Sequence, residues 1–269
     1  MPDATSRDQY VAHFDPQRYL SQYYSHHQLA ADDAELFRIM SSWLKSIGRV
    51  FDSALDVGCG PTIHNTFAIA PYARRIELAD FLPANLAEVR KWLDDAPDAH
   101  DWDPLFRGVL ECQGVETSQL EARKALYRSR VSALRSCDLH KPNPLGQPQE
   151  YDLVTSFFCA ECMAASREEW EEWEEWEEIM RRIFRLVKPG GALFIATVGN
   201  CSAYAVLGTW FRVIPVGVDD FRALLPRHGF PLAGIEAHVV PAPDWAEDGF
   251  DHICLIGATK GESKVPEQE

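Results

Sequence analysis

From residue 53 onward, short apolar runs alternate with amphipathic stretches, the pattern of β–α units that feed a mostly parallel sheet. The apolar runs predict strands at 53–57, 75–79, 132–137, 151–157, 192–198, 234–240 and 252–258. The stretches between them predict helices at 65–70, 83–95, 168–187 and 218–228. Ahead of the first strand, residues 14–48 read as helical, because Leu36, Ile39, Met40, Trp43, Leu44 and Ile47 recur at helical spacing and make an N-terminal cap on the sheet. Residues 97–131 are too long for a plain strand-to-strand link and are read as an insertion with one amphipathic helix at 116–131, of the kind that covers a pocket. A proline-rich break follows at 142–148. The run EEWEEWEEWEE at 168–178 places Trp170, Trp173 and Trp176 along one side of a helix, where they pack on the sheet while the glutamates stay wet. The chain is therefore expected to be α/β, one domain over residues 1–260 with a disordered polar tail at 261–269.

Composition narrows the class. Of 269 residues 46% are hydrophobic, enough for a globular core, and 41 acidic against 26 basic residues give a net charge of -15. That sign opposes binding to nucleic acid or to an anionic membrane and favours a small-molecule partner, with no obligate protein partner evident. The N-terminus lacks the apolar core of a signal peptide, no apolar run approaches the ~20 residues of a membrane span, and seven cysteines are an odd number, so a cytoplasmic protein with reduced thiols is expected.

The candidate chemistry begins at Leu55-Asp56-Val57-Gly58-Cys59-Gly60-Pro61-Thr62, a strand that runs into G-x-G at the start of a helix. Glycine lets a backbone approach a ligand where a Cβ would collide. A dinucleotide cradle requires a third glycine, and Ile63 and His64 stand there instead. A hydride-transferring oxidoreductase is disfavoured for that reason, and S-adenosylmethionine (SAM), which carries no phosphate, fits better with its amino-acid part against Gly58 and Gly60. The second strand ends in Asp80, about 20 residues on, where an acid accepts from both ribose hydroxyls, with Asn85 in reach of the same ribose. The third ends in Cys137-Asp138-Leu139, where Asp138 accepts from the adenine amino group and Leu139 offers its backbone N–H.

With those residues in place, the sequence resembles the nicotinamide, phenylethanolamine and indolethylamine N-methyltransferase family. The resemblance begins at Phe14-Asp15-Pro16-Gln17-Arg18-Tyr19-Leu20-Ser21-Gln22-Tyr23-Tyr24 and continues through the glycine loop, Asp80-Phe81 with Asn85-Leu86, Lys91-Trp92-Leu93, Asp101-Trp102-Asp103-Pro104, Cys137-Asp138, Phe158-Cys159-Ala160-Glu161 and Val187-Lys188-Pro189-Gly190-Gly191. It implies a Rossmann-like class I methyltransferase: a three-layer α/β/α sandwich with a seven-stranded, mostly parallel sheet, its final strand antiparallel, under an N-terminal helical lid. It also implies that Tyr19, Tyr24, Gly58, Cys59, Gly60, Thr62, Asp80, Phe81, Asn85, Asp138, Leu139 and Phe158 line the cofactor. Tyr23, Phe158, Glu161, Thr197, Asn200, Cys201, Tyr204 and Asp248 would surround the acceptor. Two positions depart from some relatives: Thr197 stands where the strand can carry an acid, and His64 where some members place an aromatic after the glycine loop.

Methyl transfer is an in-line displacement that depends mainly on alignment and dryness, but an amine must shed its proton before its lone pair can attack. Glu161 is the expected catalytic residue, binding the ammonium and taking that proton; the bland alternative is an acid at a helix start. The expected activity is SAM-dependent N-methylation of a small amine or heteroaromatic. O-methylation of a hydroxyl or carboxylate, and a non-catalytic SAM-binding module, are the alternatives. Cys159-x-x-Cys162 has no second pair and no histidine at ligand spacing, so no metal is expected.

Overall fold

The structure, a computed structural model, describes residues 7–25, 28–163, 170–199 and 201–262. Its main sheet has seven strands: β1 (Ala54–Val57), β2 (Ile76–Asp80), β3 (Val131–Ser136), β4 (Tyr151–Phe157), β5 (Val187–Val198), β8 (Ile235–Pro241) and β9 (His252–Thr259). They lie in the order β3-β2-β1-β4-β5-β9-β8. All neighbours from β3 to β5 pair in parallel, and β9 runs antiparallel to both β5 and β8. Every residue of β1 is buried, as a central strand covered on both faces demands.

Alternate residues of each central strand point to opposite faces. Ala54, Leu153 and Phe194 join one hydrophobic cluster, whereas Leu55, Val154 and Ile195 join the other. The first face is covered by α3 (Ala31–Ile47), α4 (His64–Ile69), α5 (Pro83–Leu93), α6 (Asp103–Cys112) and α7 (Leu120–Arg130). The second is covered by α8 (Trp170–Arg185) and α9 (Val218–Leu224). This is the expected three-layer sandwich, and the seven strands match their predicted positions to within a residue or two except β5. That strand begins five residues early because Val187 already pairs with Tyr151.

The insertion differs from expectation. It carries two helices, α6 and α7, where one was predicted, since Pro104 stands in the first turn of α6, a position that needs no N–H partner. Leu105, Phe106, Val109 and Leu110 are buried against α3 and α4, so the insertion thickens the core, and none of its residues lines the cavity at the ends of β1 and β4. Covering falls instead to α1 (Arg7–His13), α2 (Pro16–Tyr23) and an unforeseen hairpin, β6 (Ala203–Val206) with β7 (Thr209–Arg212). Leu207 and Gly208 both take positive φ, the geometry of a two-residue hairpin turn. Gln22 and Tyr23 of α2 donate to the Ala205 carbonyl at 3.0 and 2.8 Å, so the two covering parts are tied together. At the C-terminus Gly261 still bonds to Gly190 and Gly229, and residues 263–269 of the expected tail lie outside the described residues. No helix among the described residues is long and apolar enough to cross a membrane.

Candidate active site

In a sheet ordered this way, ligands bind beyond the carboxyl ends of the strands where the order reverses, here between β1 and β4. A cavity of about 530 Å³ lies there, roofed by α1, α2 and the hairpin. Its floor is the glycine loop. Gly58 holds φ +70°, and a Cβ on it would stand 2.1 Å from the Cys159 sulfur; Gly60 holds φ +59° and faces open space. The loop is fastened to the second strand by Asp80, which is 6% exposed. One Asp80 oxygen accepts from the Gly60 N–H at 2.8 Å, and the other accepts from the Leu82 N–H at 2.8 Å and from Asn85 Nδ2 at 3.0 Å. A carboxylate offers roughly four acceptor positions, so capacity is left for a ribose hydroxyl in the cavity. Burial pushes the Asp80 carboxyl above its ordinary range, and those hydrogen bonds pull it back.

Fourteen expected site residues line this one cavity: Tyr19, Tyr23, Tyr24, Gly58, Cys59, Gly60, Thr62, Asp80, Phe81, Asp138, Leu139, Phe158, Glu161 and Tyr204. Asn85 does not, since it is fully buried behind Asp80 and holds that carboxylate. Thr197 is also fully buried, its hydroxyl turned to the Val198 carbonyl at 3.3 Å behind the wall. Cys201 borders a smaller neighbouring cleft with His252 and Asp251, and Phe250 is common to both spaces. Asn200 and the Asp248 side chain lie outside the described residues. His64 is likewise absent from the wall: it stacks on Trp102 at 5.2 Å and packs on Tyr24 at 4.8 Å, and burial drives its pKa down to about 3.

Glu161 sits in a one-turn 3-10 helix, Ala160–Met163, just after β4, and is 1% exposed. One carboxylate oxygen accepts from the Val198 N–H at 3.3 Å, and the other, Oε2, has no hydrogen-bond partner among the described residues. Burial raises its pKa to about 7 against the opposing effects of its own backbone, the nearby Thr197 hydroxyl and the Val198 N–H. Two features hold the turn. Phe158 takes φ +53°, strained backbone kept at a functional edge. The buried Trp176 indole donates to the Ala160 carbonyl at 3.0 Å, which gives the Glu–Trp run a task beyond packing. Trp176→Phe removes that donor together with part of a fully buried indole. It is expected to cost about 2 kcal/mol or more in thermal unfolding, and to lower the Glu161 titration seen by carboxyl 13C NMR as water enters the loosened turn.

The sequence missed part of the wall. Tyr10 and Phe14, four residues apart, pack on Phe211 of the hairpin, with ring centres 5.7 and 5.9 Å away. Trp245 packs on Tyr23 at 5.3 Å and donates to Asp32 at 3.3 Å, and Asp33 stands beside Asp32. The i, i+4 aromatic pair was a readable signal, whereas Trp245 reaches the cavity only through tertiary folding. Cys59, Cys137, Cys159 and Cys162 also border the cavity as free thiols whose pKa values burial raises.

The fold and this floor define a class I SAM-dependent methyltransferase. Magnesium protoporphyrin IX methyltransferase from Synechocystis PCC 6803, solved with bound SAM, shares the fold at a TM-score of 0.57 and 13% identity, covering 97% of this chain and 100% of that one. The N-methyltransferase NodS from Bradyrhizobium japonicum WM9 shares it at 0.53 and 10%, over 93% and 100%. The chain belongs to the NNMT/PNMT/TEMT family, whose sequence profile matches residues 3–261. Indolethylamine N-methyltransferase of Mus musculus is 30% identical over 265 residues, 95% of this chain and 96% of that protein. Nicotinamide N-methyltransferase of Homo sapiens is 27% identical over 241 residues, 86% and 88% respectively. Phenylethanolamine N-methyltransferase of Bos taurus is 29% identical over 215 residues, 78% and 73%.

Proposed function

We propose that this enzyme N-methylates a small amine or N-heteroaromatic compound and that Glu161 binds the acceptor nitrogen and takes its proton. The observation that carries the reading is the Glu161 carboxylate, 1% exposed with Oε2 unpartnered among the described residues, in the same cavity as the glycine loop and Asp80. A buried carboxylate without a counter-charge is costly, and a ligand cation removes that cost.

SAM, when bound, supplies the methyl group from its sulfonium. Gly60 leaves open space that the ligand's amino-acid part would fill, Asp80 would accept from the ribose, and Asp138 with Leu139 would hold the adenine. Tyr19 and Tyr24, 5.7 Å apart between ring centres, close over the methionine end. On the acceptor side the aromatic roof excludes water, and Glu161 orients the nitrogen and holds its proton on Oε2 so that a lone pair is free. The test is release of S-adenosylhomocysteine (SAH) on a panel of amines, N-heteroaromatics, phenols and carboxylic acids, with SAM binding followed by calorimetry. Micromolar SAM binding with turnover on nitrogen compounds is expected; turnover on oxygen compounds alone overturns the reading.

A further inference from the structure

The glutamates of the Glu–Trp run do more than meet solvent. Glu175, Glu178 and Arg182 are spaced by three and four along α8, so they share one face of the helix. That face meets the turn after β3. Glu175 Oε1 stands 3.0 Å from Nδ1 of His140, and both residues border the cavity. Two turns further along, Arg182 donates from Nη1 to the Leu139 carbonyl at 2.7 Å, while its Nε donates to Glu178 at 3.2 Å. The Arg182 side chain is 14% exposed, so these contacts lie largely out of water.

Leu139 and His140 share a planar trans peptide, so its C=O and N–H point in opposite directions and cannot be set independently. Arg182 holds the C=O. The N–H on the other side donates to Asp138 Oδ1 at 3.1 Å. A charged donor on the carbonyl polarises the peptide and strengthens the hydrogen bond that its N–H makes. A continuous chain of contacts therefore runs from Glu178 through Arg182 and one peptide group to the Asp138 carboxylate, which borders the cavity. The same helix holds the Glu161 turn through Trp176.

Resting on the reading that Asp138 accepts from the adenine amino group, we propose that Arg182 is a positioning residue for cofactor recognition. It acts through the Leu139–His140 peptide to hold the Asp138 carboxylate where that group distinguishes a 6-amino purine from a 6-oxo purine. Arg182 itself does not line the cavity. With the guanidinium gone the peptide can rotate, the His140 N–H leaves Asp138, and the carboxylate loses the orientation that a directional hydrogen bond to the base requires. An ionised carboxylate only accepts, so a 6-oxo group offers it no donor at that position and leaves two acceptors facing each other.

The test titrates SAH and its 6-oxo analogue, S-inosylhomocysteine, into the enzyme and its variants by calorimetry, with thermal unfolding alongside. The wild type is expected to bind SAH tenfold or more tightly than the analogue, and Asp138→Asn to remove that margin. Arg182→Met keeps an apolar stem without a donor, and is expected to cut the margin to threefold or less, with the loss on the SAH side. A merely loosened fold weakens both ligands alike and leaves their ratio unchanged; that result overturns the proposal. Glu178→Ala leaves Arg182 in place and frees its Nε, and is expected to shrink the margin at least twofold. Should Arg182→Met fail to fold, an intact margin in Glu178→Ala overturns the proposal instead. If the margin is present in the wild type, lost in Asp138→Asn and intact in Arg182→Met, only the Arg182 assignment fails. If the wild type lacks the margin, or Asp138→Asn keeps it, the adenine reading fails and the Arg182 assignment with it.

Discussion

Glu161→Gln is expected to lower kcat on a protonated aliphatic amine by about 10²–10⁴-fold, the range that a positioned base contributes, while SAM affinity stays within twofold. The substitution keeps the shape and the Val198 contact and removes the negative charge, and with it the capacity to hold the ammonium and take its proton. The pH profile makes the expectation specific. In the wild type only the ionised carboxylate can act, so the rate falls about tenfold per pH unit below the Glu161 pKa of about 7. In the variant the amine itself must be deprotonated by solvent, and the limb moves up to the pKa of the amine. An unchanged limb with an unchanged kcat eliminates Glu161 as the base. The same group gives a stability signature of opposite direction. Its folded pKa is raised above the ordinary 4.5, so its contribution to stability is full below about pH 4.5 and is lost as pH rises through about 7. Above that pH the ionised carboxylate costs the unliganded fold up to about 3 kcal/mol. Glu161→Gln is therefore expected to raise Tm at pH 8 and to leave it nearly unchanged at pH 5, a gain in stability that accompanies the loss of rate.

What the sequence disclosed and what it hid divides along physical lines. The strands were legible because each is short, apolar and bounded by breakers. The cavity floor was legible because G-x-G and the acids after β2 and β3 are local features whose spacing carries their chemistry. Residues one layer deeper were placed less well. Asn85 and Thr197 have the right types at the right positions, yet the strand and helix that bear them turn both side chains into the interior. The roof was the hardest part. Tyr204 was foreseen, but the hairpin that carries it has only eight strand residues, and its turn begins with a leucine in a left-handed conformation that propensity disfavours.

The two loop glycines are expected to fail differently when each is replaced by alanine. At Gly58 the substitution is forbidden twice: φ of +70° costs an L-residue roughly 1 kcal/mol or more, and the new Cβ would stand 2.1 Å from the Cys159 sulfur and 2.6 Å from its Cβ. Cys159 is itself fixed, in the chain between strained Phe158 and the Trp176-bonded Ala160, so it cannot step aside without moving the Glu161 turn. Gly58→Ala is thus expected to destabilise the fold by about 3 kcal/mol or more, lowering Tm by several degrees, and to abolish measurable SAM binding. At Gly60 only the backbone term operates, since nothing lies within 4 Å of the added Cβ. Gly60→Ala is expected to lower Tm slightly and yet to weaken SAM binding by 100-fold or more, because in the proposed placement of the cofactor the added methyl group takes the space of the ligand's amino-acid part. Calorimetric titration with SAM beside thermal unfolding separates the two. Unaltered SAM affinity in Gly60→Ala would remove the glycine loop from the cofactor site, whatever Gly58→Ala does to the fold.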